Sequence, residues 1–127
     1  MFALVILTFF IMALAFFLRR KAVIEKQLKL SYFRTMTGGS PPEQVVKTGR
    51  QFSNLFEVPV LFYIVSVLAI VQNKESLWML VLGWCFVLVR TGQAIVHLTY
   101  NNVLHRSALF FTGNLLVLGM WVIQVFF

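Results

Sequence analysis

Arg50, Asn54 and Glu57 follow one another at i, i+4 and i+7, a spacing that gathers a guanidinium, an amide and a carboxylate on one helical face. Such a set suits a small anionic polar ligand: guanidinium groups hold carboxylates bidentately, and a carboxylate takes up an ammonium. Val58, Pro59 and a long apolar run come next, so the polar stripe leads directly into hydrocarbon. An ionisable group at such a place is costly unless compensated, and is a functional candidate for that reason. The competing reading is a structural ion pair between Arg50 and Glu57 that holds helices together. A second stripe, Arg90, Gln93, Ala94 and His97, repeats the pattern at i, i+3, i+4 and i+7, and His105 and Arg106 follow it in a polar turn.

These stripes need membrane-spanning helices to hold them. The chain has 127 residues, of which 60% are hydrophobic and 12% charged, a composition foreign to soluble domains. Several uncharged runs approach the ~20 residues that cross a bilayer as a helix. The net charge of +7 raises the question of nucleic acid, but its distribution argues against that partner. Eight of the eleven Lys and Arg residues lie between Arg19 and Arg50, the pattern of positive-inside topology and of contact with anionic membrane lipids. Cys85 is the single cysteine, so no intrachain disulfide is possible.

Taken in order, Met1 to Leu18 is apolar apart from Thr8, with Arg19, Arg20 and Lys21 after it rather than before it. That order indicates a retained first helix, about 1–20, and not a secretory signal. Lys21 to Ser40 is the main polar connection, and its first part has the composition of an interfacial helix. Ser40 as N-cap, Pro41 at the first helical position and Glu43 make a capping-box signature, so a second helix is expected over about 41–72. It would measure about 45 Å at 1.5 Å per residue, against about 30 Å of hydrocarbon, so its first turns stand outside. Pro59 is expected to kink it beside the polar stripe. A third helix follows over about 77–100 and a fourth over about 107–127. The expectation is an all-α, polytopic, four-transmembrane-helix bundle in a single domain, with both termini outside and the basic connection cytoplasmic. Both polar stripes then lie at one depth near the cytoplasmic boundary, which points to one shared site.

Several chemistries are absent from the sequence. There is no Gly-rich phosphate loop and no Cys/His cluster with metal spacing, so no metal site is expected. No Ser-His-Asp set exists because there is no Asp. A small multidrug exporter has four helices too, but it requires a glutamate in its first helix, and Met1 to Leu18 has none. A channel or transporter has only the polar stripes in its favour. What remains is a basic pocket containing Arg50, Asn54, Glu57, Arg90, His97 and Arg106. It suits a small anionic ligand, with an apolar co-substrate entering from the lipid. The structural alternative pairs Arg90 with Glu57 and leaves Arg50 and Arg106 at the headgroups.

Pro41-Pro42-Glu43, then Arg50-x-x-x-Asn54-x-x-Glu57, Pro59 and Leu61-Phe62, resembles the second-helix signature of the membrane-associated proteins in eicosanoid and glutathione metabolism, the MAPEG family. Arg90 and Arg106 match that family's pattern too. The resemblance implies a left-handed four-helix bundle assembled as a homotrimer, with sites between subunits. It further implies glutathione as co-substrate, gripped at Arg50, Asn54 and Glu57, with Arg106 stabilising its thiolate. Arg19 and Arg20 resemble a basic pair that reaches the ligand in some members, Arg20 being the residue assigned here. Arg90 and His97 complete the expected ligand contacts. Gln93, His97 and Phe110 stand where known enzymes of the family carry Tyr or His, Tyr, and Tyr. The expected activity is a glutathione-dependent transferase or peroxidase acting on lipophilic electrophiles. The alternative is a non-catalytic lipid-binding or scaffold protein of the same fold.

Overall fold

The computed structural model describes residues 1–126. Its helices are α1 (Phe2–Ile24), α2 (Tyr32–Thr35), α3 (Glu43–Asn54), α4 (Val58–Val71), α5 (Leu77–Leu98) and α6 (Val103–Phe126). Four segments are long and apolar enough to cross a membrane: α1, α3 with α4, α5 and α6. The protein is an all-helical, integral membrane bundle.

α1 runs past the expected end near residue 20. Arg19, Arg20 and Lys21 are good helix formers, and the helix stops only where Lys26 turns left-handed at φ 55°. There the N–H groups of Lys26 and Gln27 donate to the carbonyls of Val23 and Ala22 at 3.1 and 3.0 Å, closing a Schellman end. The following residues are not an interfacial helix, as their composition suggested. They form an irregular strap whose one regular piece is the single turn α2.

The second span differs from one continuous helix over 41–72 at its start and in its middle. Pro42, not Ser40, is the N-cap of α3, and no side-chain cap forms. Pro42 disfavours the helical region for Pro41 before it. The Glu43 carboxylate turns forward to Lys47 Nζ at 2.7 Å rather than back to the chain start. At Leu55–Glu57 the helix breaks, and the N–H groups of Leu55 and Phe56 donate three residues back, to Phe52 and Ser53. Pro59 lacks an N–H for the Leu55 carbonyl and sits at the start of α4, where that loss costs nothing. α4 alone has 14 residues, about 21 Å, so α3 must complete the crossing.

α6 begins at Val103 instead of near Ser107. Asn102 Oδ1 accepts from the N–H groups of Leu104 and His105 at 2.9 and 3.2 Å, an N-cap that starts the helix a full turn early. At the other end of the bundle Ser76 caps α5 by accepting from Met79 N–H. Gln124 Nε2 donates to Gln72 Oε1 at 2.8 Å, joining the ends of α6 and α4.

Two apolar clusters hold the helices. Leu4 of α1, Phe62, Val65 and Ala69 of α4, Met79, Phe86 and Val87 of α5, and Val117 and Met120 of α6 form the main core. Ala22, Leu28 and Val45 form a smaller one at the basic end, with Leu18, Tyr32 and Phe33 packed on it. α5 packs most extensively on α6, while α3 lies against α1 and α5. This packing brings the break in the second span opposite the last turns of α5 and the first turns of α6.

Candidate functional site

A cavity of about 710 Å³ opens at that end of the bundle, within the range of small-molecule sites. Arg50, Asn54 and Glu57 line it from α3 and the break, His97 from α5, and Arg106 from α6. The helical spacing that placed three of them on one face is therefore realised, with the break allowing Glu57 to follow Asn54 into the same space. Arg50 and Glu57 are exposed, whereas His97 is 1% exposed.

The two structural ion pairs weighed for this stripe do not form. Among the described residues the salt bridges are Lys21–Glu25 at 3.7 Å and Lys47–Glu43 at 2.7 Å. Glu57 therefore pairs with neither Arg50 nor Arg90. Its carboxylate and the Arg50 guanidinium are left with their charges available to a ligand.

Arg90 lies behind the cavity wall and is not among the lining residues. It is 1% exposed, its Nη1 donates to Gln93 Oε1 at 2.7 Å, and its guanidinium carbon stands 5.4 and 5.2 Å from the ring centroids of Phe86 and Phe110. Both distances are within cation–π range. Gln93 and Phe110, in turn, do line the cavity. Gly113 packs against this layer, where a Cβ would stand 3.5 Å from Arg90 Nε and Phe86, an ordinary van der Waals contact. Arg90 thus supports two wall residues from the membrane side.

Arg106 is fixed from its own helix start. Its Nη1 donates to Asn101 Oδ1 at 3.1 Å, and Asn101 adopts φ 49° with its N–H on the Val96 carbonyl. The Asn102 cap sets the register that aims this first turn. Arg20 is exposed and outside the cavity, and its neighbour Arg19 is the basic residue of α1 that lines it. One residue on a helix turns the side chain by about 100°, enough to exchange the two faces.

Tyr32, Phe33 and Met36 of the strap close the cavity from above, and nothing in their spacing announced it. Two adjacent aromatics inside a connection rich in charged residues are the one signal available. Gln51 is a further residue to which the polar stripes do not lead. It is 1% exposed with an unpartnered Oε1, on the buried row Val45, Thr48 and Gln51 of α3, and it does not line the cavity. Arg19 Nε and both His97 ring nitrogens are likewise buried without hydrogen-bond partners among the described residues. Buried polar atoms are rarely left unpaired, so Arg19 and His97, which both line the cavity, offer atoms that fit a polar ligand.

A family model, described as MAPEG family, matches residues 1–126 of the 127. No curated protein and no solved structure matches the chain.

Proposed function

Because this chain belongs to the MAPEG family, whose members include glutathione-dependent transferases, we propose that it conjugates glutathione to lipophilic electrophiles or uses it to reduce lipid hydroperoxides. One observation carries the proposal: Arg50, Asn54, Glu57, His97 and Arg106, from three separate spans, line a single cavity. Glutathione has two carboxylates, one ammonium and one thiol. Arg50 and Arg19 suit the carboxylates, Glu57 suits the ammonium, and Asn54 and His97 suit the peptide groups.

Arg106 is assigned to the thiol. A guanidinium beside the sulfur favours the thiolate and lowers the thiol pKa from about 8.5. The thiolate attacks an electrophilic carbon, a carbon–sulfur bond forms, the leaving group departs with the electron pair, and the thiol proton goes to solvent. Arg90 acts one layer back, holding Gln93 and Phe110 in the wall. The lipophilic partner reaches the site through the membrane, as the apolar Phe110 side allows. The proposal includes a homotrimer, with the basic connection in the cytoplasm and both termini on the opposite side.

Phe110 and Gln93 favour a second reading, a non-catalytic lipid-binding protein of the same fold. Phe110 brings no hydroxyl to the cavity, and Gln93 spends its carbonyl on Arg90. Glutathione turnover with a model electrophile, lost in Arg106→Ala, supports the enzyme. Saturable lipid binding with no turnover in the purified wild type supports the second reading.

A further inference from the structure

The strap between α1 and α3 has two unlike faces. Inward, Leu28, Tyr32 and Phe33 pack on Leu18, Ala22 and Val45. The chain returns through Gly38, at φ 81°, and Gly39, where a Cβ would come within 3.2 Å of Leu28 and 3.3 Å of Tyr32. The inner face is thus closely fitted and forms a wall of the cavity. Outward, Lys26, Lys29 and Arg34 are exposed and have no carboxylate within ion-pairing distance among the described residues. Beside them stand Ile24, 67% exposed, and Leu30, 73% exposed.

Unpaired cations interleaved with uncovered aliphatic side chains have the chemistry of a surface that meets anionic headgroups and the acyl boundary below them. The position is right for it. α1 has 23 residues, about 35 Å, so its end lies just past the ~30 Å hydrocarbon, in the headgroup layer. Lys26, Lys29 and Arg34 follow within ten residues of that end.

We propose that the outer face of the strap, Lys26, Lys29 and Arg34 with Ile24 and Leu30, docks on anionic lipid headgroups of the surrounding bilayer. Docking holds the inner face, with Tyr32 and Phe33, in place as the cavity wall. The inference concerns lipid and requires no ligand in the cavity, so it stands or falls separately from the proposed activity.

The test places an environment-sensitive fluorophore on Ser31→Cys in a Cys85→Ala background, using the full chain in lipid nanodiscs. Ser31 is exposed and its side chain makes no cap hydrogen bond, so the label removes no interaction. Adding phosphatidylglycerol to phosphatidylcholine discs should shift the emission to the blue, and salt at about 0.5 M should reverse the shift by screening. The shift should vanish in Lys26→Gln/Lys29→Gln/Arg34→Gln, with the melting temperature unchanged because all three side chains are exposed. Equal emission in both lipids overturns the proposal, as does a shift that survives the triple substitution. A response to a soluble acidic protein with none to phosphatidylglycerol overturns it as well.

Discussion

Arg90 Nη1 donates to Gln93 Oε1 at 2.7 Å, one turn apart on α5, and each residue is 1% exposed. This is the side-chain hydrogen bond of a guanidinium whose Nε and Nη2 have no partner among the described residues. A buried charge so sparsely satisfied depends heavily on the bond it has. Gln93→Ala should therefore destabilise the protein by about 1–3 kcal/mol, the cost of a stranded buried polar group. Arg90→Met with Gln93→Ala should recover most of the loss, since an apolar side chain of similar size needs no partner. Thermal unfolding in detergent measures both, and additive losses in the double variant would contradict the account.

Arg106 is expected to act on the thiol rather than on ligand affinity. Arg106→Ala should lower turnover about 100-fold, the scale of removing one charge-stabilising donor. The affinity for glutathione should change far less, and the thiolate absorbance of bound glutathione should disappear. Equal losses in affinity and turnover would move Arg106 from chemistry to binding.

Among the described residues Glu57 has no cationic partner, and the proposed function gives it the ligand's ammonium. Glu57→Gln should weaken glutathione about tenfold, or about 1.4 kcal/mol. An analogue lacking the amino group should bind both proteins alike. Discrimination that persists with the analogue would show that Glu57 serves the fold instead.

On α1 the two adjacent arginines should separate cleanly. Arg19→Ala should raise the Kd for glutathione several-fold, and Arg20→Ala should leave it unchanged within about twofold, the range of surface substitutions. The reverse result would place Arg20 in the site, as the sequence resemblance had it.

Asn102 links folding to the site by starting α6 one turn before the apolar run. Asn102→Ala should cost about 1 kcal/mol of stability. It should also reduce turnover, because Arg106 stands in the first turn it caps. Unfolding curves and kinetics on one preparation separate the two effects. Stability lost with turnover intact would detach the cap from the site.

How much of this was legible beforehand depended on whether a residue's role follows from local periodicity. Arg50, Asn54, Glu57 and His97 were readable because the 3.6-residue repeat alone decides which helical positions share a face. The number and apolarity of the spans were readable because bilayer thickness imposes them. The Ser-Pro-Pro-Glu pattern predicts a Ser40 cap, but the steric effect of Pro42 on Pro41 prevails and Pro42 is the N-cap. The stripe spacing puts Arg90 in the pocket, but its place behind the wall depends on Phe86 and Phe110, which lie on two helices. Tyr32 and Phe33 were invisible because an irregular strap has no period, and only its tertiary packing brings it over the cavity.

The proposed socket for a glutathione-like anion draws its side chains from three spans. Calorimetric titration of glutathione into the purified, detergent-solubilised wild type, with Arg50→Ala as the comparison, tests it most directly. Saturable binding that falls at least about tenfold in Arg50→Ala, a 1.4 kcal/mol loss, is the predicted result. No binding to the wild type, or equal binding to both proteins, would contradict it.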